Sequence, residues 1–500
     1  MTVVDVGGTL EREREQVRSR LAATPPAEWD AADLGLVAQP PVPGRSRELP
    51  EKRTYGSDFP FRDVGQRRPL DATDGIHESV VSGAYGGFSN IWGAQVMPFP
   101  AAAFRAWPVA AAEMQPHYES VLRAIPFAAE HDDLAELFPL HAPAEPLPAL
   151  AERSEAVLRR YGAHRDTLRR RGVVVGRARL ALKASDCTLA GLCMSGCPYS
   201  LIYSAAHTID ALRRSNRVDY HGHQLAIRVE EDEGAAVVTT RDLAGGGLRR
   251  FSADRVLLAC GAIGTSRLVL GSLNLFDVDV RVLESRQFVL PFVSRRATPH
   301  DPRAVPHFTL NQFNMLVTLD ENAVDAAQLH FYAYDPAFLD ALPQIEWARE
   351  HLLRRVCVAL GYLPSWASPS FALRVSPPAD GALPRMTLHG TTAPGPGSRI
   401  LRRVVRKIAA SAPALDLWPV LPLMRLSAAG KSYHWGGTFP HVHEAGGRRF
   451  ASDVVGRVAP WRRIHLVDAS VFPSIPATTF TLSVMANAHR IADAVVRGRT

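Results

Sequence analysis

The chain has 500 residues, 46% of them hydrophobic and 21% charged. That is enough for a large core and two or more domains, and it excludes a disordered chain. The net charge of +7 is almost all arginine, with lysine only at Lys52, Lys183, Lys407 and Lys431, and it is scattered, so no nucleic-acid partner is expected. No apolar run reaches transmembrane length, five cysteines make no disulfide framework, and no secretory leader is visible. The expected location is cytoplasmic.

Val3-Val4 read as the end of a short buried strand, followed by Asp5 at its tip, two glycines and a polar helical segment to about Leu21. In a dinucleotide-binding fold, an acid at the tip of the second strand bonds a ribose hydroxyl, and a Gly-x-Gly-x-x-Gly turn precedes it by about 20 residues. Asp5 stands too early for that first strand and turn to precede it here. Three arrangements would account for this. The numbering begins at an internal Met, a partner chain supplies the missing nucleotide-binding strand, or the cofactor has been lost and the fold kept.

Residues 22–75, rich in Pro, Arg and Asp, read as a surface excursion serving as a lid or an interface arm. Between 80 and 99, four glycines bracket Ser89 and Asn90 in the run Gly86-Gly87-Phe88-Ser89-Asn90-Ile91-Trp92-Gly93. Glycine allows close backbone approach, and the hydroxyl and amide can bond the edge of a polar heterocycle. Ala106-Trp107-Pro108 leads into a helix through Tyr118, and 125–160 read as surface helices joined by loops.

The cysteines Cys187, Cys193 and Cys197, the last followed by Pro198, fit the frame of a ferredoxin cluster run with Ala190 in the second place. Three thiolates suit a 3Fe-4S cluster. Packed thiols in a tight turn, or a zinc site with a distant fourth ligand at His207, are the alternatives. Residues 217–259 alternate as an antiparallel meander. The apolar run Val256–Cys260 then meets Gly261 and a helix through Leu270, as at the edge of a nucleotide fold.

From about 280 to 430, strand-like runs at 287–293, 307–319, 328–334, 370–375 and 385–388, with a helix from 399 to 410, describe a sheet with helices on one face. Tyr332, Tyr334, Phe308 and Phe313 are candidate pocket aromatics, and Cys357 falls in an apolar helical stretch. The last segments are Ser432-Tyr433-His434-Trp435-Gly436-Gly437, the strand Ile464–Val467 ending at Asp468-Ala469-Ser470, and a helix opening near Thr481. A His beside a Gly pair can lie close to a flat ligand, and a helix N-terminus suits an anionic or electron-rich ring edge.

These C-terminal segments and the Gly86–Gly93 loop resemble the glucose–methanol–choline (GMC) oxidoreductases, which are FAD-dependent. The resemblance implies an α/β fold of mixed α+β character. It comprises an FAD/NAD(P)-binding Rossmann-like domain lacking its first strand and Gly-rich turn, and a sheet-plus-helix substrate domain. Residues 1–275 would form the first part of the FAD domain, 276–455 the substrate domain with the catalytic His, and 456–500 the C-terminal part of the FAD domain. His434 would be the base, with Thr479 orienting the alcohol where the family has a second His or Asn. Asp5, Gly86, Gly87, Ser89, Asn90, Trp92, Gly93, Ala226, Gly261, Asp468, Ala469 and Thr481 would lie at the FAD. The three cysteines would hold a 3Fe-4S cluster, as in some GMC-type sugar dehydrogenases. His441 and His443 are further candidates beside His434.

The implied reaction is oxidation of an alcohol or sugar CH–OH to C=O by hydride transfer to flavin, the electron acceptor being open. The alternatives are a flavin lyase or isomerase, or a non-catalytic partner subunit.

Overall fold

The computed structural model describes residues 1–38, 52–62, 72–77, 80–232, 234–321, 323–335, 349–378, 383–390, 397–443 and 449–498. Its largest element is a seven-stranded antiparallel sheet. The strands run in the order Trp418–Pro419, Gln287–Val293, Val356–Tyr362, Ala326–Tyr332, Asn311–Thr318 and Val173–Arg177, with Arg425–Leu426 also paired to Gln287–Val293. Successive side chains of a strand face opposite ways. One set, including Phe288, Leu290, Phe313, Leu329, Phe331 and Ala359, packs under the helices Glu152–Arg170 and Gly397–Leu415. Ile400, Val404 and Ile408 recur on the second helix at the spacing of one helical face. The alternate set divides: Leu316 and Ala326 pack with Met97, Leu134 and Phe138, while Tyr332, Val358, Leu360 and Tyr362 form a separate cluster on the face away from the two helices.

The expected sheet with helices on one face is therefore present, but two details differ. Cys357 lies in the central strand Val356–Tyr362 instead of a helix, buried against Ile400 and its neighbours. The stretch expected as surface helices ends in a helix that covers the sheet, and the strand Val173–Arg177, within the 1–275 segment, pairs with Asn311–Thr318. A 3.6-residue period and a short buried strand are not separable by apolar content alone, which is why Val356–Leu360 read as helical.

The nucleotide-fold elements are shorter. Thr2–Val4 pairs in parallel with Asp219–His221, and Val256–Leu258 pairs in parallel with Ile464–Leu466, as two separate two-stranded sheets. The meander Gln224–Glu231, Ala236–Asp242 and Leu248–Ala253 lies in the expected place. Helices Ala262–Ser272 and Thr481–Val496 follow the second parallel pair in sequence, and Tyr118 of helix Ala111–Ala124 meets Ser483 at 2.7 Å between hydroxyl oxygens. A five-stranded sheet joins the halves, and its edge strand Trp435–Gly436 pairs with Val280–Glu284. No described helix is long and apolar enough to cross a membrane.

Candidate active site

A cavity of about 1750 Å³ runs from the short parallel strands to the uncovered face of the large sheet. Its walls include Thr2–Val6, the loop 80–93, Val256–Ala262, Ser432–Trp435, Val467–Ala469, Thr479–Thr481 and the sheet residues Gln287, His330, Tyr332, Leu360 and Tyr362. It is larger than the roughly 300–1,000 Å³ typical of a small-molecule pocket, as a site for a dinucleotide together with a substrate would be.

The loop 84–93 is held by its own polar side chains. Asn90 donates from Nδ2 to the carbonyls of Tyr85 (3.0 Å) and Gly87 (2.8 Å), and the Ser89 hydroxyl donates to the Gly86 carbonyl while accepting from the Ala205 N–H (2.9 Å). Trp92 Nε1 donates to the Tyr203 carbonyl at 2.8 Å. Gly86 has φ 87°, and a Cβ there would meet Ser204 Oγ at 2.8 Å. Only glycine satisfies both conditions. Gly86, Gly87, Ser89, Trp92 and Gly93 line the large cavity. Asn90 does not; it faces a smaller pocket of about 290 Å³ behind the loop, and its amide braces the turn.

The His434 turn is anchored from both sides. Gly437 N–H donates to the Ala469 carbonyl at 2.9 Å, and a Cβ on Gly436 would lie 2.2 Å from that oxygen. The Gly pair is thus what lets the His434 strand lie against Asp468-Ala469. On the other side the Ser285 N–H donates to the His434 carbonyl at 2.9 Å, and Glu284 Oε1 accepts from the Gly430 N–H (2.9 Å) and the Ser432 hydroxyl (2.8 Å). Ser432 Oγ in turn accepts the His434 N–H at 3.1 Å. Burial pushes the Glu284 carboxyl up to about 7.

The His434 imidazole stacks on Tyr362 (centroids 4.6 Å apart, 22° between planes) and meets Phe480 at 4.9 Å. Its Nδ1 is buried without a hydrogen-bond partner, and burial pushes its pKa down to about 3. Thr479 lines the same cavity with an unpartnered Oγ1, and Thr481 opens the helix beside it.

At the other end Asp5 accepts from the Tyr220 hydroxyl at 2.9 Å, and burial raises its pKa. Ala226 lies beside a β-bulge, and Gly261 (φ 75°) opens the helix Ala262–Ser272; both line the cavity. Asp468 also lines it, yet its carboxylate is engaged within the protein. Oδ1 accepts the Ser470 N–H at 2.9 Å and Oδ2 accepts the Thr265 hydroxyl, which ties the strand end to the helix. Ala469 completes the wall.

The iron–sulfur expectation is corrected. Among the described residues, no three His, Cys, Asp or Glu side chains are grouped to hold a metal. Cys187, Cys193 and Cys197 pack instead against the main core. Burial raises all three thiols, Cys193 to about 11, and the Cys193 sulfur accepts the Thr309 N–H at 3.4 Å. His207, the distant zinc candidate, turns Nδ1 to the Ser204 N–H at 3.4 Å.

Among the other candidates, His441 is buried on the Asp453 carbonyl (2.6 Å) and Asn487 (3.2 Å), and neither it nor His443 lines the cavity. Of the four pocket aromatics, Tyr332 lines the cavity. Phe313 stacks on Phe331 on the helix-covered face (4.4 Å, 8°), Phe308 is in the main core, and Tyr334 meets His307.

Sequence reasoning missed His330, Tyr362, Gln287 and Glu284. The polar and aromatic alternation Gln328, His330, Tyr332 was the available signal for the first, but which face of a strand is open depends on its neighbours.

No family model matches the sequence, and no curated protein matches it. Solved structures do match in fold over 99% of the chain. Pyridoxine 4-oxidase from Mesorbium loti is similar at 14% identity, with a TM-score of 0.60 and 94% of its own chain covered. Two variants of the formate oxidase of Aspergillus oryzae RIB40, studied for FAD modification, are similar at 14% and 13% identity, with TM-scores of 0.58 and 0.61 and 98% of their chains covered. The chain therefore has the fold of the GMC oxidoreductases.

Proposed function

We propose that the protein is an FAD-dependent oxidoreductase that converts a CH–OH group of a small-molecule alcohol or sugar to C=O, with His434 as the base. The observation that carries this reading is the His434 imidazole. It is buried and neutral, has an unpartnered Nδ1, and stands on a cavity that also takes in the Gly86–Gly93 loop and the Asp468–Thr481 segment. The residues fit the cofactor. The loop glycines would allow a flat ring to approach, the N-terminal turn of helix Thr481–Val496 would offer N–H groups, and Asp5, which lines the cavity, would bond a ribose hydroxyl.

When bound, FAD supplies the acceptor for the electron pair of the carbinol C–H bond. The protein's own part is proton handling and orientation. His434 is a weak base, but weakness suffices, because the hydroxyl proton becomes strongly acidic as the carbon turns carbonyl-like. The Thr479 hydroxyl orients the substrate oxygen and takes no proton near neutral pH. The Glu284–Ser432 chain keeps the His434 backbone in place. The similar structures are named oxidases, which favours oxygen as the acceptor.

The test is the absorption spectrum of the purified chain, beside one extended to any upstream in-frame start. A two-band flavin spectrum that bleaches anaerobically with an alcohol is expected. No colour in either form would sink the reading and favour a non-catalytic partner subunit.

A further inference from the structure

Resting on that reading, we propose that His330 is a second catalytic imidazole of this site, donating a hydrogen bond to the substrate oxygen that His434 deprotonates. His330 sits mid-strand in Ala326–Tyr332, between Leu329 and Phe331, which face the helices. Alternation turns it to the open side with Tyr332, and Leu360 lies opposite it on the neighbouring strand. There the Tyr362 ring bridges the two histidines, with centroids 5.0 Å from His330 and 4.6 Å from His434.

His330 is 2% exposed, lines the cavity, and has no hydrogen-bond partner at Nε2. A buried Nε2 without a partner also occurs at His465, but that ring is fixed by Nδ1 on the Val455 carbonyl (2.9 Å) and does not line the cavity, whereas two other buried histidines are bonded at both nitrogens. His307 bonds the carbonyls of Val305 (2.7 Å) and Tyr334 (2.8 Å), and His441 is satisfied at both nitrogens. A buried polar atom without a partner is unfavourable, so an orphaned imidazole at a position where Leu or Val would pack points to a ligand. Burial first, and then the proximity of His434, keep His330 neutral, so it carries an N–H without a competing charge.

The step balances. The hydroxyl O–H bond breaks and its proton goes to His434; the C–H pair leaves as hydride to the oxidised cofactor of the proposed reaction; the C=O bond forms. His330 undergoes no net change. Its N–H meets the oxygen while that atom gains negative character as its proton departs, where a fixed donor acts most strongly. This gives the site two imidazoles even though Thr479 stands where a second base was expected.

Two measurements test the assignment. The first treats the native protein at pH 7 with diethyl pyrocarbonate and maps modified histidines by mass spectrometry. His330 and His434 are expected to react, with His307 and His441 protected. The second assays benzyl alcohol, pyridoxine and glucose with wild type, His330→Leu and His330→Gln, each with flavin content measured.

Leu is expected to lower kcat/KM by about 10²–10³-fold at full flavin loading, and Gln, which keeps a donor, to recover part of it. Resistance of His330 while His434 reacts, or a wild-type rate in His330→Leu, overturns the assignment. If wild type oxidises none of the three yet His330 is modified, the alcohol-oxidation reading falls while the cavity-facing imidazole is upheld.

Discussion

The two sides of the cavity are built on different principles. The side proposed to hold the cofactor is assembled from backbone: two short parallel strand pairs, a self-braced loop, and glycines where chain segments nearly touch. The side proposed to meet the substrate is one continuous antiparallel sheet. Its covered face is a packed core, and its other face projects Tyr332, His330 and Tyr362. Chemistry on the first side therefore depends on close approach of main chain. On the second it depends on which of two alternating side-chain sets is left open.

The largest break in that contrast is expected on the cofactor side. In Gly436→Ala the new Cβ has no room against the Ala469 carbonyl, so the His434 turn must separate from the Asp468 strand. Loss of flavin binding and a sharp fall in melting temperature are expected; normal flavin content would show that the contact can relax.

On the substrate side, Phe331→Ala should destabilise by about 3–5 kcal/mol in chemical denaturation, because it opens the helix-covered core. Tyr332→Phe, one residue along on the open face, should change stability by under about 1 kcal/mol. Equal losses would contradict a larger packed core under the two helices than around Tyr332.

His434→Ala should lower kcat/KM by about 10²–10⁴-fold while flavin stays bound, since the proposed base is removed. A loss confined to KM would assign His434 to binding alone.

The pH response separates the sides less strongly. His330, His434 and His441 are each pushed down to about 3 by burial, against 6.5 for an unfolded imidazole. Between those values the unfolded chain binds more protons. Stability present above pH 6.5 is lost as pH falls, by on the order of 1 kcal/mol per pH unit for each group in that window. Glu284 has the opposite sign. Raised to about 7 from 4.5, its contribution is present below pH 4.5 and lost as pH rises through 7. Glu284→Gln should remove the loss of stability with rising pH between about pH 4.5 and 7, on the order of 1 kcal/mol per pH unit, a range in which it opposes the histidine effect. The smallest effect is expected for Thr479→Ala, a several-fold fall in kcat/KM without a pH shift, because a hydroxyl that only orients takes no proton.

These differences match what was legible beforehand. The Gly86–Gly93 loop and the His434-Trp435-Gly436-Gly437 turn could be read because turn chemistry is local: glycine, serine and asparagine act on their own neighbours in sequence. Even so, the role of Asn90 changed, since its amide closes the turn instead of facing the cavity. The cysteines misled for the same reason in reverse. Their spacing met a ligand frame, while among the described residues no metal-holding group forms and their side chains pack against the main core.

By itself the sequence determined the Gly86–Gly93 turn, the strand–turn–helix segments around Gly261 and Asp468, and the turn that carries His434 beside its Gly pair, because each depends on contacts within a few residues. Only the tertiary structure decided that Val356–Tyr362 is a strand, that Glu284 anchors the Ser432–His434 turn, and that His330 and Tyr362 share one face beside His434. Those facts depend on register between strands and on contacts between segments from some thirty to 148 residues apart, and on which set of alternating side chains the two helices cover. None of these is encoded in any local run of residues.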